Sequence, residues 1–139
     1  MSVETRSAGQ ASAGSRVRNR LIALVAAAAA AAAAWAIGNA AGAELTVNQN
    51  GVTEITLAGA VVSTLMAGLA GWGLLALLER FTARGRTIWT YVAGTVLLLS
   101  LLPTLLADAT TGTRATLTAM HLMVGAVLIP SFHRSSREA

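Results

Sequence analysis

Four stretches of this chain, at about residues 21–41, 55–78, 87–107 and 114–131, are long, apolar and nearly free of ionisable side chains. Each is close to the roughly 20 residues that an α-helix, rising about 1.5 Å per residue, needs to cross about 30 Å of hydrocarbon. A helix on the surface of a soluble domain keeps one polar face for water, and these stretches have none to offer. Composition agrees: 55% of the 139 residues are hydrophobic and 12% are charged, with a mean hydropathy of +0.64, far from ordinary globular usage. The sequence predicts an all-α membrane protein, a four-helix transmembrane bundle over residues 20–132 with an up-down-up-down course.

All ten basic residues are arginine, and their placement predicts an orientation. With the amino terminus in the cytoplasm, Arg6, Arg16, Arg18, Arg20, Arg80, Arg84, Arg86, Arg134 and Arg137 fall inside and only Arg114 falls outside. Translocating arginine is costly and opposes the membrane potential, so the side with the excess is the side from which the chain inserts. Glu44, Glu54 and Asp108 gather on the opposite face. The expected topology is N-in/C-in in a bacterial cytoplasmic (plasma) membrane. The loop holding Arg80, Arg84 and Arg86 then lies at headgroup level, where each arginine gains about 1 kcal/mol from anionic lipid phosphate. The pI near 11.4 follows from this topological use of arginine. The basic residues form no stripe interleaved with aromatics, so membrane lipid is the expected partner and nucleic acid is not.

Residues 1–19, rich in Ser, Ala and Gly, lack apolar periodicity and are expected to be a disordered cytoplasmic tail; residues 133–139 are expected to be a second one. The first span holds nine consecutive alanines, Ala26 to Ala34. Alanine is weakly lipophilic, so this helix is expected to pack against its neighbours. Its arginine-bearing start and the Ala41-Gly42-Ala43 sequence also resemble a cleavable secretory signal, but the apolar run exceeds the usual length of about 7–15 residues, which favours a retained helix. In the extracytoplasmic loop, residues 42–54, β-branched residues flank Asn50-Gly51 and predict a small hairpin. Trp89 and Tyr91 open the third span in the manner of interfacial aromatics. Pro103 frees the Leu99 carbonyl and predicts a kink. Asp108 is expected to cap or to pair with Arg114, and Glu79 to be an ion-paired residue beside Arg80 at headgroup level.

Absence of cysteine excludes thiolate nucleophiles, disulfides, iron–sulfur clusters and the usual structural zinc sites. The chain also lacks a glycine-rich phosphate loop, a metal-ligand cluster and a serine triad, so neither enzymatic activity nor a cofactor or metal is expected. Two signals remain. In the second span Gly59, Ser63, Ala67 and Gly71 recur every fourth residue, beside the row Ala60, Thr64 and Gly68. Small side chains along one face let helix backbones approach closely in lipid, where no water-driven force brings them together. The other signal is His121, about 10 Å inside the fourth span, at the same depth as Ser63, Thr64 and Ser100 when the spans are counted inward from their outer ends. An intramembrane titratable residue in a polar layer is a functional candidate, and its plainer reading is an imidazole satisfied by a backbone carbonyl.

The segments at 67–80 (AGLAGWGLLALLER), 86–89 (RTIW), 98–103 (LLSLLP) and 121–130 (HLMVGAVLIP) resemble a family of small four-helix integral membrane proteins from actinobacteria catalogued as a domain of unknown function. The resemblance runs from about Arg18 to Pro130. It implies four spans and supplies no activity, substrate or catalytic residue. The expected role is a non-enzymatic accessory or helix-packing component that contacts lipid and another membrane protein or itself. The alternative is a small transporter or channel subunit built on the polar layer around His121.

Overall fold

The structure, a computed structural model, describes residues 3–48 and 50–135, with side chains from Ala13 onward. Its helices are α1 (Val3–Ala40), α2 (Leu57–Phe81), α3 (Gly85–Leu106) and α4 (Thr111–Ser135). All four are long and apolar enough to cross a membrane, the candidate span of α1 beginning at Ala13. Between α1 and α2 a two-stranded antiparallel hairpin pairs β1 (Thr46–Asn48) with β2 (Val52–Glu54) across Asn50 and Gly51. Asn50 takes φ +59° and Gly51 φ +129°, the left-handed values that this residue pair tolerates.

Local chemistry sets the helix ends. Gly42, at φ +87°, closes α1 with its N–H on the Asn39 carbonyl and with the Ala43 N–H on the Gly38 carbonyl. Thr56 starts α2 by accepting the Gly59 N–H on Oγ1 at 2.9 Å. In the α2–α3 turn a Cβ on Gly85 would lie 2.8 Å from backbone atoms of Leu78 and Glu79, so only glycine fits. Pro103 sits within α3, which continues past it to Leu106.

Two boundaries correct the sequence reading. Residues expected as a disordered tail are helical from Val3, continuous with the first span. Arg16 and Arg20 reach a carboxylate on α2, which gives the upstream turns of α1 something to dock on. At the other terminus α4 runs to Ser135, taking in the start of the expected carboxy-terminal tail. Residues 136–139, with Arg137, lie outside the described residues.

Each of α1 and α3 packs against both α2 and α4, and the broadest contact joins α1 to α4. The interior combines small side chains on α1 with a cluster of large ones, Leu24, Leu75, Trp89 and Phe132. Ala23, Ala27, Ala31 and Ala34 place one face of α1 inside, and Gly68 lies so close to Leu24, and Gly38 to Thr116, that neither glycine has room for a Cβ. Large side chains such as Leu69, Leu77, Leu98, Leu102 and Leu106 are exposed instead. Close approach of α1 through small residues, with so many leucines exposed, suits a protein solvated by lipid tails.

At one end of the bundle the hairpin is tied down. The Leu45 N–H donates to Thr113 Oγ1 at 3.1 Å, the Asn48 N–H to the Asp108 carbonyl at 3.0 Å, and Trp35 Nε1 to the Ile55 carbonyl at 2.7 Å. The expected Asp108–Arg114 pair does not form. Asp108 faces Asn48, and Arg114 folds back to donate from Nε and Nη2 to the Ala107 carbonyl at 3.0 and 2.8 Å, closing the end of α3.

Candidate functional site

Near the α2–α3 turn these two helices are in close contact. Trp89 of α3, 3% exposed, lays its indole against α2 and donates from Nε1 to the Gly71 carbonyl at 2.9 Å. Phe132 of α4 stands beside it, ring centroids 5.6 Å apart. The expectation that Trp89 is an interfacial aromatic is therefore corrected: its ring is enclosed in the bundle and held by the Gly71 carbonyl and by Phe132, whereas Tyr91 is exposed.

Toward the hairpin α2 and α3 part, and a cavity of about 840 Å³ lies between α2, α3 and α4, in the usual range for ligand pockets. Its floor is Trp89 and Phe132, its back wall includes Met120 and Gly125, and Ile55 and Thr56 lie at its hairpin end. Its outer side is bordered by exposed residues of α2 (Ser63, Ala67, Leu74) and of α3 (Val92, Val96), so the cavity opens laterally.

All four residues of the polar layer line this one cavity, Ser63, Thr64, Ser100 and His121. None bonds to another. Thr64 Oγ1 donates to the Ala60 carbonyl at 2.8 Å, Ser100 Oγ to the Leu97 carbonyl at 2.7 Å, and His121 Nδ1 lies 2.7 Å from the Leu117 carbonyl. A carbonyl can only accept, so the neutral imidazole carries its proton on Nδ1 and Nε2 is left as a lone pair.

Every residue of the two small-residue rows of α2 lines the cavity, and the rows differ in burial. Ala60, Thr64 and Gly68 are buried, and Gly68 also meets Leu24 of α1. The Gly71 carbonyl accepts from Trp89. Gly59, Ser63 and Ala67 are exposed.

A second polar cluster sits at the end of the bundle near the α2–α3 turn. Arg20, 4% exposed, donates from Nη2 to Glu79 Oε1 at 2.6 Å and from Nε to Ser135 Oγ at 3.0 Å, joining α1, α2 and α4. Arg16 Nη1 lies 3.9 Å from Glu79 Oε2. Glu79 is thus ion-paired across helices and not with its neighbour Arg80. Sequence reasoning missed this cluster, although Arg16 and Arg20 stand one turn apart on a common face. Arg80 and Arg84 are exposed and Arg86 is half-buried beyond it, at the same end.

A family of unknown function, DUF6069, matches residues 11–138, which takes in all four candidate spans and both polar clusters. The chain belongs to that family. No curated protein and no solved structure matches it. Membership accords with four apolar helices of a multi-pass membrane protein and brings no activity with it.

Proposed function

We propose that this DUF6069 member is a non-enzymatic accessory component of a bacterial cytoplasmic membrane, whose lateral cavity receives another molecule of that membrane. The observation that carries this reading is the cavity itself, about 840 Å³, floored by Trp89 and Phe132 and bordered toward the bilayer by Ser63, Ala67 and Val96. A void of that size with apolar walls does not stay empty in lipid, and small residues are the means by which a helix admits a close neighbour.

The accompanying topology is up-down-up-down with both termini in the cytoplasm. Its support is the gathering of Arg16, Arg20 and Glu79 at the end that also carries Arg80, Arg84 and Arg86, with Glu44, Glu54 and Asp108 toward the other. In that frame Arg80, Arg84 and Arg86 meet headgroup phosphates. The first helix is retained, since Ala27 and Ala31 are fully enclosed and its loss would strip the core from α2 and α4.

Filling the cavity tests the reading. Native mass spectrometry of the purified wild type should show retained membrane lipid or a stoichiometric membrane partner, and Ala67→Trp should lose it while keeping its helical circular dichroism. Identical retention by the filled variant sinks the proposal.

Convergence of Ser63, Thr64, Ser100 and His121 on one cavity supports a second reading, a small transporter or channel subunit. It requires that His121→Ala or Ser63→Ala alter a proton or solute flux in proteoliposomes; unchanged fluxes exclude it.

A further inference from the structure

We propose that the cavity binds an uncharged long-chain lipid bearing a hydroxyl group, and that this hydroxyl donates its hydrogen to Nε2 of His121. The inference rests on the reading of the cavity as a binding place for a membrane molecule, and it names the class.

Shape suits a chain. From Gly59 to Leu74 the cavity follows α2 for about 22 Å at about 1.5 Å per residue, a long groove whose lining is mostly apolar and which accommodates an extended hydrocarbon chain.

Charge selects a neutral guest. Besides His121, the ionisable residue on the lining is Glu54, at the hairpin end. A phosphate or carboxylate drawn to the depth of His121 would have no arginine to meet it, and an unpaired charge in hydrocarbon is strongly disfavoured.

Hydrogen-bond direction selects a donor. The Thr64 and Ser100 hydroxyl hydrogens are committed to the carbonyls of Ala60 and Leu97, and the Nδ1 hydrogen of His121 to that of Leu117. Among the described residues no hydrogen bond occupies Nε2 of His121, which in the neutral imidazole offers a lone pair, while the Ser63 hydroxyl on the same lining can donate as well as accept. At His121 itself the acceptor discriminates between a hydroxyl and an ether or ester oxygen, which cannot donate. Position then separates the two halves of the guest: the chain lies over the apolar part of the groove that ends at Trp89, and the hydroxyl stops at His121, nearer the hairpin.

The test uses the full-length protein in detergent with equimolar 1-octadecanol and its methyl ether, read together by native mass spectrometry. The wild type should carry the alcohol about fivefold or more over the ether, the contribution of one hydrogen bond. His121→Phe keeps the ring and removes the lone pair, and should bind the two equally; His121→Leu gives the same comparison if the phenylalanine variant does not fold. Equal binding by the wild type, preference for the ether, or a preference for alcohol that survives both variants overturns the hydroxyl assignment while leaving the cavity in use. Failure of both probes to bind, together with lipid retention unaffected by Ala67→Trp, overturns the cavity reading as well.

Discussion

Arg20 of α1 donates from Nη2 to Glu79 Oε1 of α2 across 2.6 Å, and these residues are 59 positions apart in sequence. The arginine is the more enclosed partner, with 4% of its side chain exposed against 16% for the glutamate. A guanidinium left there without its carboxylate is a buried, uncompensated charge. Glu79→Leu should therefore lower stability by about 3 kcal/mol, measured as a fall in Tm in detergent, and Arg20→Met with Glu79→Leu should recover most of the loss. A double variant no more stable than Glu79→Leu alone would remove the pair from the account of what joins α1 to α2.

Gly68 and Gly73 lie five residues apart on α2 and should respond in opposite directions. Gly68 faces Leu24 of α1 with no space for a Cβ, whereas Gly73 has open space around it. Gly68→Leu should cost about 1–3 kcal/mol by overpacking. Gly73→Ala should be neutral or stabilise by up to about 1 kcal/mol. Thermal unfolding of both variants, side by side, checks the assignment of the α1-facing row.

Trp89 contributes through bulk more than through its N–H. Trp89→Phe loses the hydrogen bond to the Gly71 carbonyl and should cost about 1 kcal/mol. Trp89→Ala removes the floor of the cavity and its contact with Phe132, and should cost about 3–5 kcal/mol. Similar Tm values for the two variants would show that the ring is not packed as described.

Native cysteine is absent, so single-cysteine variants report topology without background. Asn50→Cys, in the hairpin, should react with a membrane-impermeant maleimide in intact cells. Ala83→Cys, in the α2–α3 turn, should react only after permeabilisation. The reverse pattern refutes the N-in/C-in orientation.

Four spans and the hairpin at Asn50-Gly51 were legible because hydropathy and turn chemistry are local properties. The depth shared by Ser63, Thr64, Ser100 and His121 was also countable, since each span advances by a fixed rise per residue. That α2, α3 and α4 leave a cavity at that depth was not countable, because it depends on how whole helices pack against one another. Aromatic residues at a span terminus have two uses, in headgroups or in the core, and sequence position alone does not choose between them. Arg20 was hidden for a related reason: an arginine that sets topology and one that bonds a distant carboxylate look alike until the helices are placed together. Asp108 and Arg114 erred the other way, since nearness in sequence suggested a pair and each found a backbone or hairpin partner instead.

The alanine face of α1 has a consequence for how the chain is made. Methyl groups give a nascent helix little hold on lipid, and its broadest packing surface belongs to α4, which is synthesised after α2 and α3. The alanine face of α1 thus waits for α4, and this packing closes only once α4 has been made. Chains truncated before α4 will present an unsheltered alanine ridge to the membrane, a ready signal for the proteases that clear unfinished proteins.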